Sequence, residues 1–90
     1  MNITFLGTDC FRPQADNDAS GFLINGKYLI DTGYFLGHNL TKLGIDLLSV
    51  DRVFFTHMHH DHYLALPHLL FHWLQNGKTR SLDEMHIYGP

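Results

Sequence analysis

Three observations predict an α/β fold for this chain. Its shortest apolar runs, Phe22-Leu23-Ile24, Tyr28-Leu29-Ile30 and Val53-Phe54-Phe55, have strand length and are apolar at consecutive positions. Two longer stretches carry leucines at helical spacing, and turn residues separate the two kinds of segment. Strands apolar at every position are buried on both faces, so the sheet they form needs a layer on each side.

The elements follow in order. Ile3 to Leu6 reads as a strand ending at Gly7, and 8–20 as a loop rich in Asp, Asn, Pro, Gly and Ser. Two readings of that loop stand side by side: it lines a substrate pocket, or it is polar for solubility alone. Asn25-Gly26 between two apolar runs predicts a tight hairpin, since both residues tolerate positive φ in a type I′ turn. Asp31-Thr32-Gly33 closes the hairpin. Leu36, Leu40 and Leu43 then predict a helix over 34–43, capped by Gly44. Asp31 either orients a nearby histidine or caps this helix, and His38 is an exposed helix residue. Residues 45–51 form a short connection of about one helical turn, and a strand follows over 52–55.

Next comes Thr56-His57-Met58-His59-His60-Asp61-His62, with four imidazoles and a carboxylate in six positions. A strand ending there places His57 and His59 on one face. Asp61 and His62 then sit where the following helix begins. Imidazole nitrogen with carboxylate oxygen suits Zn²⁺ first, with Mn²⁺, Fe and Co²⁺ as alternatives. The plain alternative is a histidine-rich polar tract, but a strand and an amphipathic helix bracket the cluster, which favours a structured metal site. Leu66, Leu69, Leu70, Trp73 and Leu74 predict a helix over about 64–76, with Pro67 in its first turn and Asn76-Gly77 at its end. One Asp61 oxygen is expected near the free N–H groups of that helix start. His68 and His72, one turn apart, lack a carboxylate or cysteine beside them and read as a helix edge. Residues 78–83 are a polar loop and 85–88 a last strand, with His86 a strand residue.

A chain of 90 residues allows one domain at most. Hydrophobic content of 44% and charged content of 17% are those of a globular protein. The net charge of −3 argues against a broad nucleic-acid-binding face on this segment. Cys10 is the one cysteine, so no internal disulfide forms, and a reducing setting is expected. With neither a signal-peptide pattern nor a membrane-length apolar run, the cytoplasm is the expected location.

Read as His-x-His-x-Asp-His, the cluster resembles the signature of the metallo-β-lactamase superfamily of binuclear metal hydrolases. MNITFLGT at 1–8, SGFLI at 20–24, LIDTG at 29–33 and IYGP at 87–90 resemble its ribonuclease Z-like branch, in the same order. Ala65 departs from the Gly usual there. The resemblance implies the N-terminal half of a metallo-β-lactamase αββα sandwich, a mixed sheet with helices on its outer face, and makes 1–90 the first part of a single domain. It implies two Zn²⁺ per complete site, His57 and His59 serving the first and Asp61 and His62 the second, with His60 pointing away. Asp61 is the implied catalytic residue, orienting a metal-bridged hydroxide or taking its proton, and Asp31 a structural aspartate near the site. The further ligands lie beyond this length, so the missing C-terminal half of the domain, or another chain, completes the site, and a homo-oligomer is expected. The implied enzyme is a phosphodiesterase acting on RNA, at tRNA 3′ ends for instance, or on a small phosphodiester. An ester, thioester, lactam or lactone is the alternative substrate. The rival reading is a truncated, non-catalytic fragment that binds metal or a partner, and the 90-residue segment alone is expected to be inactive.

Overall fold

In the computed structural model, which describes residues 1–76 and 84–90, the strands form one mixed sheet. In chain order they are β1 (Ile3–Asp9), β2 (Asp18–Ala19), β3 (Gly21–Ile24), β4 (Tyr28–Ile30), β5 (Arg52–Phe54) and β6 (His86–Tyr88). Their order across the sheet is β2-β1-β3-β4-β5-β6. The pairs β1/β3 and β3/β4 are antiparallel, and β1/β2, β4/β5 and β5/β6 are parallel. The helices are α1 (Leu36–Lys42), α2 (His60–Tyr63) and α3 (Leu66–Gln75), with a 3₁₀ turn at Leu47–Ser49.

The hairpin forms where Asn-Gly predicts it. Asn25 and Gly26 both take positive φ, 56° and 64°, the handedness that matches the twist of paired strands. Helix α1 ends in the expected way, with Gly44 N–H donating to the Thr41 carbonyl and Ile45 N–H to that of Leu40. Pro67 occupies the first turn of α3. One expectation needs correction. β1 runs past Gly7 to Asp9, because a register shift at Gly7 lets the same strand continue alongside β2. The helix expected over 64–76 forms as α3, and a separate short helix, α2, precedes it and ends at Tyr63. The loop expected over 78–83 lies outside the described residues.

All the helices that pack on the sheet lie on one face. Leu23, Leu29 and Val53 stand in register across β3, β4 and β5, and bury against Leu36 and Leu40 of α1 and Leu69 and Trp73 of α3. Residues of opposite parity make the other face: Ile3, Phe5, Phe22, Ile24, Tyr28, Ile30, Phe54 and Tyr88. Among the described residues no helix covers these side chains. Phe5 is 65% exposed, and Phe54 and Tyr88 stack on each other with ring centroids 4.9 Å apart.

One buried carboxylate ties the loop over 8–20 to this frame. Asp18 accepts from the backbone N–H groups of Ala19, Tyr34 and Phe35 and from the Asn39 side-chain amide, at 2.7–3.1 Å. It therefore supplies, from 16 residues upstream of Tyr34, the acceptor that α1 lacks in its own N-cap residue. Gly33 passes close beside it: a Cβ there would stand 2.6 Å from Asp18 Oδ2. Asp18→Ala orphans several buried donors at once. It is expected to destabilise the full-length protein by at least about 3 kcal/mol, read as a lowered urea midpoint.

Candidate metal centre

The site is built where β5 leaves the sheet. Phe55 N–H still donates to the Tyr88 carbonyl at 2.8 Å, and the next residue turns away onto Asp31. Thr56 gives Asp31 both its backbone N–H (2.9 Å, to Oδ1) and its hydroxyl proton (2.7 Å, to Oδ2). Asp31 is 3% exposed and holds φ +57°, a conformation disfavoured for any residue with a Cβ. Its own N–H donates to the Phe54 carbonyl. The next residue, Thr32, anchors α2 by donating from its N–H (2.9 Å) and hydroxyl (3.1 Å) to the His62 carbonyl.

Asp31 also sets the tautomers of two histidines. A carboxylate only accepts, so His62 Nδ1, 2.7 Å from Oδ2, carries a hydrogen and leaves the lone pair on Nε2. The Thr56 hydroxyl spends its proton on Asp31, so its oxygen accepts from His57 Nδ1 at 3.0 Å. The His57 lone pair is then also on Nε2. That atom lies 3.2 Å from His59 Nδ1, and His62 Nε2 lies 3.4 Å from Asp61 Oδ2. The His57 and His62 ring centroids are 4.1 Å apart, which joins the two pairs.

His57, His59, Asp61 and His62 are thus brought into one continuous cluster, in the chain of contacts His59, His57, His62, Asp61. Among the described residues no group of three or more His, Cys, Asp and Glu side chains is placed to hold an ion. Asp61 is buried, and among the described residues its carboxylate pairs with His62. Asp61 lies in the first turn of α2, and neither α2 nor α3 has a side-chain cap from its own N-cap residue.

His60 turns away from the cluster. Its Nε2 lies 3.0 Å from the Tyr34 hydroxyl, which in turn donates to the Phe11 carbonyl at 2.9 Å. Desolvation, reinforced by the nearby Asp61, Asp18 and Cys10, raises the Tyr34 phenol above its ordinary 10.0, so it is a neutral donor at neutral pH. Cys10, Phe11, His59, His60 and Asp61 line a pocket of about 340 Å³ beside the cluster. In the loop over 8–20, Asp18 is structural, a role neither sequence reading gave it, and Cys10 and Phe11 line the pocket beside the cluster. His38, His68 and His72 lie together by α1 and α3, away from the site, and His86 is exposed on β6. Sequence reasoning missed Thr56 and Tyr34. Thr56 was detectable as a hydroxyl directly before the first histidine, but Tyr34 carried no such signal.

Comparison with known proteins places this geometry in a family. A sequence profile of the metallo-beta-lactamase superfamily matches residues 19–86. Ribonuclease Z of Prochlorococcus marinus (strain MIT 9215) is 33% identical over 95 residues, a match that takes in 100% of this chain and 30% of that protein. Zinc phosphodiesterase ELAC protein 1 of Homo sapiens is 34% identical over 94 residues, again across 100% of this chain and 26% of the relative. The crystal structure of human tRNase Z, short form, superposes with a TM-score of 0.79 at 32% identity, covering 100% of this chain and 35% of that one. The metallo-beta-lactamase fold protein YhfI from Bacillus subtilis shares the fold, with a TM-score of 0.76 at 24% identity over 97% of this chain and 35% of its own. The chain spans about a third of the length of the curated relatives it matches. With its mixed sheet, one-sided helices and histidine corner, this chain belongs to the metallo-beta-lactamase superfamily.

Proposed function

We propose that this chain supplies His57, His59, Asp61 and His62 to a binuclear zinc centre in a hydrolase that cuts phosphodiester bonds in RNA. The observation that carries this reading is the pairing of donor atoms. Two donors 2.0–2.1 Å from one tetrahedral zinc stand roughly 3.3 Å apart. The His57–His59 and Asp61–His62 pairs stand at 3.2 and 3.4 Å. Each pair is half a coordination shell, so the remaining donors come from elsewhere in the complete protein.

Bound at these pairs, two zinc ions would supply a nucleophilic water at neutral pH and offset charge on the scissile phosphoryl group. The chain's own residues do the positioning. Asp31 and Thr56 hold the His57 and His62 rings with their lone pairs facing the site. With Asp61 Oδ2 given to zinc, the second oxygen of that carboxylate is the base for the proton of the attacking water. The substrate class rests on the likeness to ribonuclease Z and to a zinc phosphodiesterase along the whole of this chain.

The test uses the full-length protein. It is expected to retain close to two zinc ions per chain after dialysis, by mass spectrometry of the metal content. It should cleave bis(p-nitrophenyl) phosphate and a precursor tRNA with a 3′ trailer, lose both activities to a chelator, and regain them with zinc. Turnover of p-nitrophenyl acetate or a lactam, with no phosphodiester cleaved, would move the substrate to the carbonyl class. Zinc retention with no turnover at all would leave a binding protein.

A further inference from the structure

We infer that the pocket bounded by Phe11 and His60 is a nucleobase subsite, which takes the ring of the nucleotide next to the scissile phosphate. The inference rests on the phosphodiesterase reading above. Its first support is position. The pocket of about 340 Å³ shares His59 and Asp61 with the candidate metal centre. A nucleotide whose phosphate lies at those residues therefore has its neighbouring group at the mouth of this pocket. That volume is in the range of small-ligand sites.

The second support is chemistry. Among the described residues the lining holds an aromatic ring, two imidazoles, a thiol and one carboxylate, and no lysine or arginine. A second phosphate would find no cation among these groups and would meet the charge of Asp61. A neutral, flat ring fits better. Phe11 is 57% exposed, which leaves its ring free to stack, and aromatic side chains stack every base because every base has a π-face.

Pre-organisation is the third. The Tyr34 hydroxyl donates to the Phe11 carbonyl at 2.9 Å and lies 3.0 Å from His60 Nε2, with the Tyr34 and His60 rings 5.8 Å apart. One phenol thus fixes the loop wall and the helix wall relative to each other. Because the Tyr34 proton goes to Phe11, the hydroxyl oxygen accepts from His60 Nε2–H. His60 Nδ1 is left as an acceptor, able to take an N–H from a base. A subsite held in shape before its ligand arrives loses less on binding than one ordered by it.

The experiment measures binding rather than turnover, on the zinc-loaded full-length protein, by titration calorimetry with cytidine 5′-monophosphate, adenosine 5′-monophosphate and ribose 5-phosphate. The two nucleotides are expected to bind at least roughly tenfold tighter than ribose 5-phosphate, the contribution of one stacked base. Phe11→Ala and His60→Ala should each collapse that ratio towards one while the zinc content stays at the wild-type level. Tyr34→Phe, which keeps the ring and removes the link, should give an intermediate ratio. Equal affinity for all three ligands in the wild-type protein, or a ratio unchanged in Phe11→Ala, would overturn the subsite and leave the metal centre standing. A protein without zinc that binds none of the three would overturn both readings.

Discussion

Asp61→Ala and His59→Ala, each made in the full-length protein, are expected to release at least one of two zinc ions and remove most phosphodiesterase activity. Even partners that only orient a ligand change metal affinity by about 10–100-fold when removed, so a direct donor should exceed that. The two variants should differ in character. His59→Ala removes one of two donors 3.2 Å apart. Asp61→Ala removes a proposed donor and also the proposed base for the attacking water. Asp31→Asn is the informative control, because Asn keeps the shape and tolerates the positive φ of that position. Its amide NH₂, however, must face groups that all donate to the carboxylate: the Thr56 N–H, the Thr56 hydroxyl and His62 Nδ1. If the Thr56 hydroxyl reverses to accept from the amide, it no longer accepts from His57 Nδ1. The His57 tautomer is then no longer held, and the proton can move to Nε2, the atom offered to metal. Asp31→Asn should therefore weaken zinc binding by about 10–100-fold with the fold intact. Metal content by mass spectrometry, and affinity by competition with a chromophoric chelator, read all three variants. Wild-type zinc and turnover in both His59→Ala and Asp61→Ala would remove these residues from the centre.

What the sequence disclosed, and what it hid, divides by distance along the chain. The Asn25-Gly26 turn, the Gly44 closure of α1, and the Leu69–Trp73 face of α3 depend on residues within one or two turns of each other, so local patterns carried them. The histidine corner was legible for the same reason: His57, His59, Asp61 and His62 are neighbours in sequence, and a strand leading into a helix folds them together. Asp18 could not be found that way. Its partners are Tyr34, Phe35 and Asn39, and nothing periodic links an aspartate in a polar loop to a helix start 16 residues downstream of it. The Tyr34 link to Phe11 and His60 spans 23 and 26 residues, and was hidden by the same separation. Asp31 was half-legible. A positive φ at a non-glycine residue and three donors converging on one carboxylate are consequences of tertiary packing, and they decide between the two roles its position allowed. The short helix α2 was missed because its four residues are too few for a helical period to show. Pro67, which has no N–H to donate, fits the first turn of a new helix better than the interior of one continuous helix.

Residues 1–90 on their own are expected not to form a stable monomer. In the sheet register Ile3 lies beside Ile24, Phe5 beside Phe22, Phe22 beside Ile30, Ile24 beside Tyr28, Ile30 beside Phe54 and Phe54 beside Tyr88. Residues paired across strands share a face, so these side chains form one continuous apolar surface opposite α1 and α3. Arg52, its guanidinium 6.0 Å from the Tyr28 ring centroid, and His86 are the polar groups on its edge. A soluble monomer seldom exposes a patch beyond ~300–600 Å², and covering even 600 Å² is worth about 15 kcal/mol at ~25 cal/mol per Å². That is of the order of the whole stability of a small domain. The face therefore demands a cover, which other copies supply when the segment is alone. Sedimentation of the isolated segment should show oligomers or aggregates, and heating should give no sharp transition, with or without zinc. Making Phe5→Ser and Ile30→Thr together should shift it towards monomer, since both side chains lie on the open face and neither belongs to the buried core. A monodisperse wild-type 1–90 monomer that unfolds in one cooperative step would show that this face is no interface.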